Sequence, residues 1–394
     1  MISFELTEEQ QQLKETCRRF AEKEIAPVAA SIDEIPDPRE SFPNDLIGKG
    51  FELGFHTLLV PQQYGGMGGG LVDFSIMMEE LAVADAGVAF SFACTCAVSR
   101  MVAQNATPEQ CERWLVPFCA DKIGRYSLGF GATEPSGGTE IFYTGEDPKF
   151  GTKTFARKID GGYSINGAKQ FTTNAGQAAL YGCMARTDRN APNFVSNSIF
   201  YFSADTPGFS LGKIENKMGH RASSNGGLIF DDMEVSDDDL LGEEGKGVEI
   251  MLSTYHANGV GMGSLALGIA RAAYEMALAY AKERQTWGQP IIQYQAIGNK
   301  LVDMKMAIET GRLLVQRIAW ASDQGKHGDD VNPSMAKVYA SEVARKVTVD
   351  AMQVLGGYGY MKDYPAEKLV RDAMVTPIYD GANEVLRYFM SMEL

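Results

Sequence analysis

Apolar residues recur at two different periods along this chain, and the two switches between them set what it can fold into. From Thr7 to about Asn105 the spacing is helical, as in LTEEQQQLKETCRRFAEKEIAPVA, where Thr7 followed by Glu8 and Glu9 forms a helix start. Between Gly124 and about Val235 short alternating runs such as YSINGAKQFTTN, SIFYFSAD and GLIFDDMEV, separated by Gly, Asn and Asp turns, predict an antiparallel β-domain. From about Gly245 long helical patterns return in GMGSLALGIARAAYEMALAYAKERQ, AIGNKLVDMKMAIETGRLLVQRIAWASDQG and SMAKVYASEVARKVTVDAMQVLGG, with connections short enough for an antiparallel bundle. The expectation is an α+β chain in three parts: an N-terminal helical domain over 1–122, a β-barrel or sandwich over 123–236 and a C-terminal four-helix bundle over 237–394.

Charge and composition narrow the function. With 51 acidic against 36 basic side chains in 394 residues the net charge is −15, which argues against nucleic acid or an anionic membrane as partner. Six cysteines without a CxxC pair, and only four histidines, give no metal-ligand spacing, so no metal is expected and the thiols read as reduced. No leader-like segment and no apolar run of membrane-spanning length are visible, so the chain is expected to be soluble and cytoplasmic, or in the mitochondrial matrix if eukaryotic and processed. No GxGxxG follows a strand and opens a helix, so a Rossmann nucleotide domain is not expected.

Two short segments carry candidate chemistry. Asp380 stands between Tyr379 and Gly381, just before a final apolar helix. Such a carboxylate is either a turn aspartate that caps the helix or a general base whose pKa desolvation lifts toward neutrality. FGATEPSGGTE reads as a Gly/Pro turn at a sheet edge, and exposed backbone N–H groups in such turns make anion sites.

The chain also resembles a known family from FELTEEQQQLKETCRRFAEKEIAP, through FGATEPSGGTE, KQFTTN and ERQTWGQPIIQYQ, to QVLGGYGYMKDYPAEKLVRDAMVTPIYDGANEVLR. That family is the acyl-CoA dehydrogenases, flavoproteins built as helical domain, β-domain and helical bundle. The resemblance implies FAD as cofactor and Asp380 as catalytic base, one methylene shorter than the glutamate usual in the family's Y-E-G-T turn. It implies that Phe130, Ala132 and Thr133 face the flavin's pyrimidine side, that Thr139 meets phosphate, that Phe171 packs on the isoalloxazine and that Thr173 bonds near N5 or O4. Arg284 and Trp287, with Gln295 behind them, would reach a neighbouring subunit's FAD, as would Gln353, Gly356 and Gly357 of the family's Q-x-x-G-G. CoA would lie between β-domain and bundle, with Tyr255, Tyr379 and Gly381 at the thioester end; Arg221 is either a CoA contact or a structural residue.

The implied reaction is introduction of a C2–C3 double bond into an acyl-CoA, by proton abstraction at C2 and hydride transfer from C3 to flavin N5. The partners implied are the acyl-CoA, an electron-transferring flavoprotein as acceptor and a homotetramer built as a dimer of dimers. Shortening the base moves its oxygens by roughly 1.5 Å, a displacement that costs on the order of a hundredfold unless compensated. An acyl group bulkier near C2 and C3, cyclic such as cyclohexanecarbonyl or else short or branched, is one compensation and a loop closer to the flavin another, and small residues in VAFSFACTCAVSRM would leave room for a ring. Many relatives carry an arginine supporting the catalytic loop where this chain reads His256-Ala257-Asn258-Gly259-Val260, so the surroundings of Asp380 are left open. Alternatives of another class are a nitroalkane-oxidase-like flavin oxidase and a slow flavin-bearing scaffold.

Overall fold

A computed structural model describes residues 5–326 and 331–392. Helices α1 (Glu8–Phe20), α2 (Ala26–Asp33), α3 (Asn44–Glu52), α4 (Leu71–Ala82), α5 (Ala86–Asn105) and α6 (Pro108–Ala120) form the first part. The Thr7 hydroxyl accepts from Gln10 N at 3.2 Å and the Gln10 side chain returns to Thr7 N, so α1 starts where its capping box dictates.

The middle part holds strands β1 (Ser127–Gly131), β2 (Phe155–Ile159), β3 (Gly162–Thr173), β4 (Ala178–Arg186), β5 (Asn197–Ser203), β6 (Phe209–Ile214), β7 (Asn225–Ser236) and β8 (Leu240–Leu241), with the single-turn helix α7 (Asn193–Ser196) before β5. They make one sheet in the order β6-β7-β3-β2-β4-β5-β8, with β1 also on β4. The sheet is mixed where an antiparallel one was expected, because β1 and β2 both run parallel to β4. It also extends beyond residue 236, since Leu240 and Leu241 pair with Phe200 and Ile199. Tyr163, Tyr181, Phe200, Phe202 and Phe230 fill its own core.

The last part comprises α8 (Gly247–Ser253), α9 (Tyr255–Glu283), the hairpin β9 (Gln285–Thr286) and β10 (Gln289–Pro290), α10 (Gln295–Asp323), α11 (Pro333–Leu355), α12 (Ala366–Val375) and α13 (Asn383–Met392). The bundle does not stand alone, because its central helix α9 packs against α4 and α5 as well as α10 and α11, and one apolar core runs through both helical parts. Glycines make that approach possible: a Cβ at Gly259 would lie 2.4 Å from the Pro333 carbonyl oxygen of α11, and one at Gly268 would lie 2.6 Å from the Glu79 carbonyl oxygen of α4. Helix α5, 20 residues with mean hydropathy 1.5, is long and apolar enough to cross a membrane, contrary to the sequence expectation. It is 78% buried inside the fold, which is the signature of a core helix.

One charge cluster ties the three parts together. Lys368 Nζ of α12 contacts Asp85, the N-cap of α5, and Asp372, each at 2.7 Å, and Asp372 accepts from His220 N of the β6–β7 connection at 2.6 Å.

Candidate active site

Asp380 sits at the end of α12's following turn with φ +48°, and Gly381 follows at φ +90°. Two successive left-handed residues reverse the chain into α13, and only glycine fits the second, because a Cβ there would lie 2.9 Å from Leu386 Cδ2. Among the described residues none hydrogen-bonds the Asp380 carboxylate, and burial raises its pKa from the usual carboxylate range to about 6, with the charge of Lys337 opposing the rise. A half-buried carboxyl with free lone pairs and a pKa near neutrality is prepared to take a proton, not to cap a helix.

The walls around it are aromatic. Phe90 of α5 stacks on Tyr379 with centroids 4.7 Å apart, and His220 meets both rings edge-on at 5.7 and 5.8 Å. Tyr255, at the start of α9, packs on Phe142, which also meets Phe389 of α13. Cys94 is close enough to Asp380 for the carboxylate's charge to add to the burial that pushes its thiol up to about 12. From α5 it is thus Phe90 and the thiol Cys94 that lie toward Tyr379 and Asp380, while Phe92 turns away onto Phe51 and Phe55. His220, buried and with both ring nitrogens unpartnered among the described residues, is held neutral by burial, its pKa lowered to about 4.

Tyr255, Tyr379 and Gly381 come together as expected, the Tyr255 hydroxyl lying 3.4 Å from where a Gly381 Cβ would stand. Arg221 does not join them. Its guanidinium donates to the carbonyls of Asp33, Ile35 and Lys217 and to Asn216 Oδ1, which fastens the β6–β7 connection to the end of α2 and corrects the CoA-contact reading. The segment 256–260 also points elsewhere, with His256 Nδ1 2.8 Å from Ser322 Oγ of α10. The cation beside Asp380 is instead Lys337 of α11, whose Nζ donates to the Gly381 carbonyl at 2.7 Å.

The segments expected to hold flavin lie at one end of the sheet. Phe130 is the last residue but one of β1, and Ala132 and Thr133 follow the strand, with the Thr133 carbonyl accepting from Gln170 N of β3 at 2.8 Å. A register shift between Lys169 and Thr172 puts Phe171 at φ +58° and leaves it 55% exposed, while Thr173 is buried. Thr139 is exposed at the head of a short 3₁₀ turn. Beneath these residues Glu134 and Lys169 form an ion pair at 2.8 Å with side-chain exposures of 3% and 0%. Glu134 also accepts from Lys153 N and Thr154 N, and Lys169 Nζ reaches the Ala132 carbonyl. This pair was not read from the sequence; the available signal was a lysine at an inward position of an alternating strand.

A second locus forms a cavity of about 670 Å³ on the bundle, lined by Tyr280, Arg284, Trp287, Gly356, Gly357 and Tyr358, among others. Trp287 lies at the tip of the β9–β10 hairpin with φ +47°, followed by Gly288 at φ +84°, and is 92% exposed. Side chains at Gly356 and Gly357 would meet nothing within 4 Å, so the backbone there is open to a ligand. Gln295 and Gln353 do not line this cavity but are exposed at its margins, next to the lining residues Tyr294 and Val354. An exposed Gly-Gly backbone, an arginine and aromatic faces suit a nucleotide diphosphate, so the residues fit FAD.

Family profiles described as Acyl-CoA dehydrogenase N-terminal, middle and C-terminal domain match residues 7–122, 129–233 and 245–394. The chain is 38% identical over 394 residues to the short-chain specific acyl-CoA dehydrogenase of Clostridium acetobutylicum, covering 99% of both chains. The butyryl-CoA dehydrogenase structure from Megasphaera elsdenii superposes with a TM-score of 0.91 at 37% identity, covering 99% of each chain. A chain solved in work on the electron transferring flavoprotein of Acidaminococcus fermentans gives a TM-score of 0.89 at 37% identity, with 99% and 98% covered, and a further neighbour, PigA, was solved as an FAD complex. The chain belongs to the acyl-CoA dehydrogenase family, and FAD is its cofactor.

Proposed function

We propose that this enzyme dehydrogenates short or compact acyl-CoA thioesters with Asp380 as base, an alicyclic acyl group being the finer reading. The observation that carries it is the desolvated, unbonded Asp380 carboxylate on its left-handed turn, facing Tyr255 and Tyr379. Asp380 takes the C2 proton, and its backbone N–H donates to the thioester oxygen as charge gathers there, a contact whose loss typically costs about 3 kcal/mol of barrier. FAD, when bound, supplies the acceptor for the C3 hydride. Phe130, Ala132, Thr133, Phe171 and Thr173 hold its ring end, with phosphate at Thr139. The stacked Phe90 and Tyr379 rings beside Asp380 offer flat apolar faces that suit a compact acyl group.

Trp287, almost wholly exposed on its hairpin, supports a homotetramer in which Arg284, Trp287, Gln295, Gln353 and Gly357 serve a neighbour's FAD. Electron-transferring flavoprotein as acceptor, and a cytoplasmic location, go with this reading.

An anaerobic titration of the holoprotein with butyryl-, isobutyryl-, cyclohexanecarbonyl- and octanoyl-CoA tests it. Bleaching of the flavin band by the compact thioesters and little by octanoyl-CoA is the expected result; no bleaching by any overturns the dehydrogenase reading and favours a scaffold, and fast oxygen consumption favours an oxidase. The rate of flavin reduction is expected to rise with pH through about 6 as Asp380 ionises, measured by stopped flow across pH 5 to 8.

A further inference from the structure

Lys337 is a lysine in an unusual place. It stands on α11 with 2% of its surface exposed, and both of its hydrogen bonds reach the segment around the base. Its Nζ donates to the Gly381 carbonyl at 2.7 Å and to Asn383 Oδ1 at 2.9 Å, while Asn383 is itself held by Ser341 Oγ at 2.9 Å and by the Pro377 carbonyl. One ammonium thus grips the turn on the C-terminal side of Asp380, where two left-handed residues need an external hold.

The groups facing Asp380 from the packed elements are Cys94 of α5, Tyr255 of α9, Tyr379 of the turn itself and Lys337 of α11; Glu384 of α13 faces Lys337. The cysteine and both tyrosines are neutral at pH 7, their pKa values raised first by burial and then by Asp380. Lys337 is the cation that acts on Asp380. Burial lowers its own pKa to about 8, against the pull of Asp380 and Glu384, so it carries its proton at neutrality and loses it in mild alkali.

We propose that Lys337 is the positioning residue of the catalytic turn: through Gly381 and Asn383 it fixes the backbone that aims Asp380. The proposal rests on Asp380 being the base. Its pH consequences have a definite sign. Removing the cation raises the pKa of Asp380, so the acid limb of flavin reduction moves to higher pH; replacing it by arginine, which keeps its proton, removes any alkaline decline that loss of the lysine proton causes.

The test uses Lys337→Met and Lys337→Arg holoprotein, with flavin content measured first. In Lys337→Met the acid limb should move up by about one pH unit or more, and loss of the hold on the turn should slow reduction by roughly tenfold or more even on the high-pH plateau. The infrared carboxyl band assigned to Asp380, by difference against Asp380→Asn, should move by the same amount, and this readout needs no turnover. Lys337→Arg should keep the acid limb in place and lose the decline near pH 8. An unmoved acid limb and carboxyl band in Lys337→Met, or an unchanged alkaline decline in Lys337→Arg, overturns the proposal. If Lys337→Met yields no folded holoprotein, the arginine variant decides. Wild-type flavin that no thioester reduces refutes the base assignment instead, and the infrared titration still reports on the pair.

Discussion

Asp380→Asn is expected to lower the rate of flavin reduction by an acyl-CoA by roughly 10³- to 10⁴-fold, while FAD content stays at the wild-type level. The amide keeps the size of the side chain and leaves the backbone N–H proposed to meet the thioester oxygen, so binding of the thioester should change little. What it loses is the ability to accept a proton. The thermal midpoint should hold or rise slightly, because the variant removes a charge that burial disfavours. Reduction that survives the substitution would move the base to another residue, and stopped-flow absorbance together with a thermal melt separates these outcomes.

The second large effect is expected at Glu134. In Glu134→Ala, Lys169 keeps its fully buried ammonium with no carboxylate beside it, a loss worth about 3–5 kcal/mol for a buried pair broken on one side. Because Glu134 also holds Lys153 N and Thr154 N, the loop carrying Ala132 and Thr133 loosens from β3, and FAD content should fall with stability. Burial by itself raises the pKa of Glu134, but attraction to Lys169 and the hydrogen bonds outweigh it, so the net shift is downward. Its contribution is therefore present above the unfolded carboxylate pKa and is lost as pH falls through the lower folded value. Denaturant melts of wild type and variant should converge as the solution is acidified below about pH 4. A variant as stable as wild type at pH 7 would show that the loop is held by its backbone contacts alone.

The three-part order was legible because the period of apolar residues reports secondary structure directly, and α1 begins at the cap that Thr7 signals. Strand direction was not. Neither β1 nor β2 carries a pattern that says which neighbour it takes, and their parallel pairing with β4 depends on where loops far apart in sequence return. Asp380 and the glycines at 356 and 357 stood out as local motifs at turns, while Tyr255, at the start of α9, was singled out only through the family resemblance. Arg221 was ambiguous for a physical reason: a guanidinium beside a Gly turn suits a backbone carbonyl as well as a phosphate. Lys169 and Lys337 escaped notice because a lysine in a strand or helix ordinarily faces water. Their burial is decided by the Glu134 loop and the turn before α13, and neither is near them in sequence.

The cluster of Lys368, Asp85, Asp372 and His220 bears on what counts as a domain here. Its members come from all three parts of the chain, and each part alone holds an incomplete set of charges that the others neutralise or bond. A protease that cleaves the connections near residues 123 or 245 would therefore produce a nicked particle that stays associated and melts in one transition. The divisions marked by the change of period are boundaries of pattern, and this charge cluster crosses both of them.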